Sequence, residues 1–253
     1  TLYLAGFGTD ETHSSELDAP DRDGSRPYWI DVIAVGRKRT SSLDSRAMPT
    51  AETPALSLEA ALRRVQPGSN RRAWKSMVAP AKLQHLYESV LHNISVAEHP
   101  VDGAFVECGV WRGGNLILCQ MMSDYLNLDR NIYGFDLFDD MPDGNENDID
   151  KFGRIPTYYK NHPEANDAWC KSSIDDLKTN LSKLFKKHKI NLVKGDVCIT
   201  LQENNNIPNE ISLLRLDTDF YVSTKCELNI LFPKLSKGGI LIIDDYNEWQ
   251  GSR

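Results

Sequence analysis

No apolar run in the 253 residues approaches the ~20 that a membrane-spanning helix requires. The amino-terminal TLYLAGFGTDETH also lacks a charged region followed by an apolar one, so neither a membrane partner nor a visible targeting segment is expected. Cysteine is sparse: five residues, at 108, 119, 170, 198 and 226, are widely spaced and form no C-x-x-C pair. That pattern gives no disulfide framework and points to a reduced, cytoplasmic setting. Cys108, Cys119, Cys198 and Cys226 lie in apolar surroundings, where a free thiol acts as a small hydrophobe. Basic clusters are missing too. The net charge is -7, and the densest run of cations (Lys183, Lys186, Lys187, Lys189) reads as the solvated end of a helix. Nucleic acid is therefore excluded as a partner.

The length suits one large α/β domain, or a domain with an appendage, and the 40% hydrophobic content is that of a globular protein. Basic residues divide unevenly. Residues 1–79 hold nine Arg and two Lys, whereas residues 80–253 hold five Arg and thirteen Lys. A boundary is expected near residues 67–80, giving an extension over 1–73 and a main domain over 74–253.

Within the extension, YLAGF and Tyr28–Val35 are strand-like, and residues 36–56 read as a loop or linker. Ser57–Val65 reads as a short helix capped by Ser57 and stopped by Pro67-Gly68. In the main domain, Leu83, Leu86, Tyr87, Val90, Leu91 and Ile94 fall on one face of a helix predicted over Pro80–Val96. Strands are predicted at Ala104–Glu107, Asn131–Asp136, Ile190–Val193, Ile211–Asp217 and Ile240–Asp244. Helices are predicted at Leu116–Tyr125, from Ser172 or Ser173 through His188, at Val197–Glu203 and at Tyr221–Phe232, with Gly238-Gly239 as a turn before the last strand. The stretch from Asp139 to Lys171, with Pro142, Gly144, Gly153, Pro156 and Pro163, reads as an irregular functional excursion. Strands alternating with helices predict a doubly wound, mostly parallel α/β sheet preceded by an amino-terminal extension.

In such sheets the ligand crevice lies at the carboxyl edge, where the winding reverses. Glu107, Asp136, Asp217 and Asp244 each close a strand, and Asp196 follows two residues after another. Isolated Asp at a strand end is an ordinary turn former. A whole edge of acids argues for a site. After Glu107, Gly109, Gly113 and Gly114 permit close backbone approach to a ligand, and the helix that follows offers free N–H groups. A tight structural turn would also explain these glycines, and the intervening Val110-Trp111-Arg112 breaks the G-x-G-x-x-G spacing of nicotinamide enzymes. Arg112 suits an anionic group such as a carboxylate. Asp136 is placed to accept from ribose hydroxyls.

Asp217, Asp219, Asp244 and Asp245 form a second set. Adjacent carboxylates repel, and a hard divalent cation is the simplest compensation. All-oxygen ligation does not separate Mg²⁺ from Mn²⁺.

The segments FVECGVWRGGN, YGFDLFDDMPD, LLRLDTDFYVSTKCELNILFPKLSKGG and ILIIDDYNEWQGSR, with WKSMVAPAKLQHLYESVL before them, resemble the macrocin O-methyltransferase family over about residues 74–253. The resemblance implies a class I methyltransferase fold and S-adenosylmethionine as methyl donor. It puts Glu107, Gly109, Trp111, Arg112 and Gly113 around the donor, Asp136 on its ribose and Asp196 near its adenine. It gives Mg²⁺ to Asp217, Asp244 and Asp245, and the role of general base to Asp219. The acceptor it implies is a hydroxyl of a small molecule, a natural-product sugar ahead of a catechol-like phenol, and the assembly a homo-oligomer. The rival expectation is a non-catalytic adenosine-binding or scaffold protein. Past the IDDY motif the family continues with a helix and a closing antiparallel hairpin, whereas this sequence ends at Arg253. Either the sequence is a piece of a longer one, or YLAGF and YWIDVIAV fill that edge. The loop from Asp143 to Cys170 matches weakly.

Overall fold

The structure is a computed structural model, which describes residues 57–67, 75–91, 100–161, 171–246 and 248–252, with the backbone of 3–4 and 35–36. Ile94 of the expected long helix, Trp74, Pro163, Cys170, all of the loop read over 36–56 except Gly36, which lies in a strand, and most of YLAGF and YWIDVIAV lie outside these residues.

In chain order the strands are β1 (Tyr3–Leu4), β2 (Val35–Gly36), β3 (Ala104–Cys108), β4 (Ile132–Asp136), β5 (Ile190–Lys194), β6 (Ile211–Leu216) and β7 (Leu235–Ile243). The helices are α1 (Leu58–Val65), α2 (Pro80–Glu88), α3 (Gly114–Tyr125), α4 (Pro156–Lys160), α5 (Ile174–Leu184), α6 (Val197–Thr200) and α7 (Tyr221–Leu231). The main sheet has five strands in the order β5-β4-β3-β6-β7, every neighbouring pair parallel. The chain winds outward from β3 to β5, then crosses back to β6 and β7. The reversal between β3 and β6 opens the crevice at their carboxyl ends. β1 pairs antiparallel with β2, and β2 lies alongside β7.

Both faces of the sheet are covered, so the strands read as nearly continuous apolar runs. Alternation along β3 separates two cores. Phe105 joins Leu83 and Leu86 of α2, Leu116 and Ile117 of α3, Leu177 and Leu181 of α5, and Ala61 and Val65 of α1. Val106 and Cys108 join Val197 of α6, Leu231 of α7, and Leu214 and Leu216 of β6. Each fully buried Leu or Phe contributes about 1.5–3 kcal/mol. Among the described residues no helix is long and apolar enough to cross a membrane.

Four element boundaries differ from the sequence reading by more than two residues. The regular part of α2 closes at Glu88, followed by a wider turn over 89–91. α5 ends at Leu184 because Phe185 is extended, with φ -129° and ψ 129°, which leaves Lys186, Lys187 and His188 beyond the helix. α6 stops at Thr200, with a separate 3-10 turn at Asn204–Asn206. Gly238-Gly239 lies inside β7: Ile211 faces Leu235 while Leu213 faces Ile240, so the glycines form a bulge instead of a turn before the strand.

Candidate active site

Glu107 of β3 and Arg215 of β6 are direct partners in register. An arginine within a buried parallel strand must be paired, and here Nη1 lies 2.7 Å from Glu107 Oε1 and 2.6 Å from Asp217 Oδ2. Nη2 lies 2.7 Å from Asp244 Oδ1 at the end of β7. Asn115 Nδ2 donates to the same Glu107 oxygen at 2.6 Å. Burial pushes the Glu107 carboxyl up to about 7, against the pull of Arg215 and Asn115.

The glycine turn is built around Asp136 and Gly109. Asp136 Oδ2 accepts the N–H groups of Val110 and Trp111, and its Oδ1 accepts that of Phe138. Its carboxylate therefore anchors the turn while also lining the cleft. Gly109 has φ +83°, and a Cβ there would lie 1.9 Å from the Asp217 carbonyl oxygen, so only glycine lets β3 and β6 end so close together. Trp111 is held at φ 50°, an outlier for a bulky side chain, with the Arg112 guanidinium 4.5 Å from its ring centre.

The cleft has a volume of about 1110 Å³, larger than the ~300–1,000 Å³ usual for one small ligand. Gly109, Trp111, Asp136 and Asp196 line it, as do Asp217, Asp219, Asp244 and Asp245. Glu107, Arg112 and Gly113 do not border it. Glu107 lies beneath it in the Arg215 network, and Gly113 caps α3 at φ 80°. Asp196 caps α6 by accepting from Cys198 N at 2.8 Å.

One oxygen each of Asp217, Asp244 and Asp245 can be chosen so that all three lie within 4.8 Å of one another. Lys82 of α2 reaches them: its Nζ lies 3.0 Å from Asp244 Oδ2, 3.0 Å from the Asp244 carbonyl oxygen and 4.0 Å from Asp245 Oδ1. Asp219, at φ 64°, is hydrogen-bonded through its side chain to Asp245. Burial pushes Asp219 up to about 7, aided by Asp217 and Asp244. Burial and acidic neighbours likewise hold Asp217 and Asp245 above the ordinary carboxylate range. Asp244 alone is held below it, because Arg215 and Lys82 outweigh its burial. Burial disfavours the Lys82 ammonium, but Asp244 and Asp245 outweigh that and hold its pKa above the usual lysine value. Five carboxylates, Glu107 among them, thus face two cations. An all-oxygen donor set carrying excess negative charge, part of it relieved by shared protons, fits a hard divalent ion.

The excursion after β4 is pinned to this centre. Buried Asp148 accepts from Asn145 N at 2.7 Å and from Tyr221 N of α7 at 2.7 Å. Asp150 accepts from Phe152 N, Arg154 N and the Tyr159 hydroxyl, and bridges to Trp249. The Ser252 hydroxyl donates toward the carbonyls of Asp219 and Asp245 at 3.0 and 2.9 Å.

Lys82, Asp148 and Asp150 were not singled out in the sequence. Lys82 carried one legible signal, a cation in the first turn of a helix with no acid beside it.

Fold and site together define a doubly wound α/β protein with a glycine-turn ligand cleft and an acidic, oxygen-rich centre beside it. The family model described as Macrocin-O-methyltransferase (TylF) matches residues 25–253, and the chain belongs to that family. The match begins well before residue 74, where the sequence resemblance starts. Demethyldecarbamoylnovobiocin O-methyltransferase of Streptomyces niveus is 28% identical over 68% of this chain and 62% of its own length. Mycinamicin III 3''-O-methyltransferase of Micromonospora griseorubida is 30% identical over 65% of this chain and 61% of its own. The matched stretch thus spans 62% and 61% of these curated relatives. The solved structure of the O-methyltransferase NovP is similar in fold, with a TM-score of 0.58 at 24% identity over 81% of this chain and 79% of that one.

Proposed function

We propose that the chain forms the catalytic domain of a metal-dependent O-methyltransferase that moves the methyl group of S-adenosylmethionine to a hydroxyl of a small natural product, a sugar hydroxyl foremost. The observation that carries this reading is the convergence of Asp217, Asp244 and Asp245 in the same cleft that begins at the glycine turn. Family membership and relatives named for O-methylation of mycinamicin III and of demethyldecarbamoylnovobiocin support the O-methyl transfer. Asp217, Asp244 and Asp245 would hold a divalent ion such as Mg²⁺, which would supply acidification of the acceptor hydroxyl, and the bound sulfonium would supply the methyl group.

The chain's own residues do the rest. Gly109 lets the donor approach the backbone, and Trp111, Asp136 and Asp196 border its place in the cleft. Glu107 in the Arg215 network, Arg112 over the Trp111 ring and Gly113 at the cap of α3 stand next to that wall. Asp219, held by its left-handed backbone on the wall of the cleft beside Asp245, takes the hydroxyl proton. Holding donor and acceptor in line is the larger contribution, because orientation removes most of the entropic part of the barrier.

Titration calorimetry with S-adenosylhomocysteine, with and without Mg²⁺, tests the donor site, and micromolar binding is expected. Asp217→Ala and Asp244→Ala should abolish methyl transfer to glycosylated acceptors while keeping that affinity. Turnover that persists in either variant would sink the metal assignment.

A further inference from the structure

The acidic centre already has a cation at its edge, and it comes from an unexpected direction. Lys82 lies in the first turn of α2, where the helix dipole disfavours positive charge. That turn offers no acid to offset the cost, and Ala79 supplies no capping side chain. Its partners are distant in sequence: Nζ lies 3.0 Å from both the carbonyl and a carboxylate oxygen of Asp244, and 4.0 Å from Asp245. The side chain is largely buried, so this contact is scarcely screened by water. Two of the three carboxylates that converge on one point are therefore already engaged by an ammonium.

We propose that Lys82 is the resident counter-cation of the acidic centre, and that a divalent ion reaching Asp217, Asp244 and Asp245 competes with it. Lys82 thereby sets the metal affinity of the site. The inference rests on the metal reading above. Arg215 cannot play this part, because it is fixed on the far side by Glu107 and spans Asp217 and Asp244 from within the sheet. Lys82 reaches the carboxylates on a flexible stem from the first turn of α2 and has no such buried partner as Glu107, so it can withdraw. Withdrawal would reach beyond charge, since Met77, Val78 and Ala79, which lead into α2, line the same cleft.

The test uses Mn²⁺ with the full chain, reading free Mn²⁺ by electron paramagnetic resonance and total heat by calorimetry. Lys82→Met keeps the stem and removes the charge; it should bind Mn²⁺ at least about tenfold more tightly, because like-charge repulsion is relieved. Lys82→Arg should stay close to wild type. In chelator, the melting temperature of Lys82→Met should fall below that of wild type, and it should gain more from added Mn²⁺. Lys82→Gln serves as a second neutral variant, with S-adenosylhomocysteine binding as the check on folding. A merely structural lysine predicts the opposite sign, weaker Mn²⁺ binding once it is removed. Equal or weaker Mn²⁺ affinity in the neutral variants overturns the role of Lys82 and leaves the metal reading standing. No Mn²⁺ binding to any form, with S-adenosylhomocysteine still bound, overturns both.

Discussion

Glu227 lies on α7 with no exposed surface, and one of its carboxyl oxygens accepts a hydrogen bond from Thr218 Oγ1 at 2.9 Å. Burial pushes its pKa from 4.5 to about 8, and the Thr218 and Cys108 contacts oppose this only in part. The folded state thus holds a proton that the unfolded chain releases. Its stabilising effect is complete below pH 4.5 and is lost as the pH rises through about 8. The titratable groups facing it are Cys108 of β3 and Cys198 of α6. Glu227→Gln should therefore flatten the fall in melting temperature between about pH 5 and 8.5, and should be more stable than wild type at the upper end. Identical pH slopes in the two proteins would show that Glu227 does not carry the linkage. Sequence reading reached the acids that close strands but not Glu227 or Lys82, because a carboxyl or ammonium on a helix reads as solvated until the packing is known. Arg215 was legible in principle, since a cation inside the run LLRLD needs a buried partner.

At the scale of elements, the strands and their order of chemistry were largely readable, because a parallel strand covered on both faces leaves an unmistakable apolar run that stops at its acid. Helix ends were not. Lys186, Lys187 and His188 suit a helix C-terminus, yet the chain leaves the helix at Phe185, which packs against the α1, α2 and α3 side of the core. Gly238-Gly239 was misread for a related reason: glycine marks a bulge and a turn equally well, and only the pairing of Leu235 with Ile211 separates them. The segment after β4 read as an irregular excursion, but buried Asp148 and Asp150 tie it down by accepting backbone N–H groups. Hydrogen exchange measures that tie. Asp150→Ala removes the acceptor for Phe152 N, Arg154 N and the Tyr159 hydroxyl, and exchange at residues 150–160 should quicken by about tenfold or more, the equivalent of ~1.4 kcal/mol. Unchanged protection would mean that Trp249 and α4 hold the segment without Asp150.

At the scale of the molecule, the shift from Arg to Lys near residue 73 does not mark an edge of the core, because α1 takes part in it. Ala61 and Val65 have no exposed area and belong to the cluster that holds Leu83 of α2 and Leu116 of α3. The joint between α1 and the cleft is polar and specific. Gln66 Nε2 donates to the carbonyls of Ser76 and Val78 at 3.0 and 2.8 Å, Lys75 N donates to Val65 O, and Gly114 N donates to Lys75 O. Residues 75–78 are thus strung between the end of α1 and the start of α3, and Met77 and Val78 of that strip line the cleft. Two consequences can be separated by experiment. Gln66→Ala loses two side-chain hydrogen bonds, worth about 1–3 kcal/mol together, and should weaken S-adenosylhomocysteine binding more than its effect on stability alone would suggest, because the freed strip lines the cleft proposed for the donor. A chain starting at residue 68 loses α1 as well, and its melting temperature should drop by at least ~5 °C. Were that shortened chain to keep both its melting temperature and its affinity, the division at residue 73 would describe two independent parts. A loss of both would make α1 a structural member of the methyltransferase domain, and the amino-terminal boundary of that domain would then lie before residue 57.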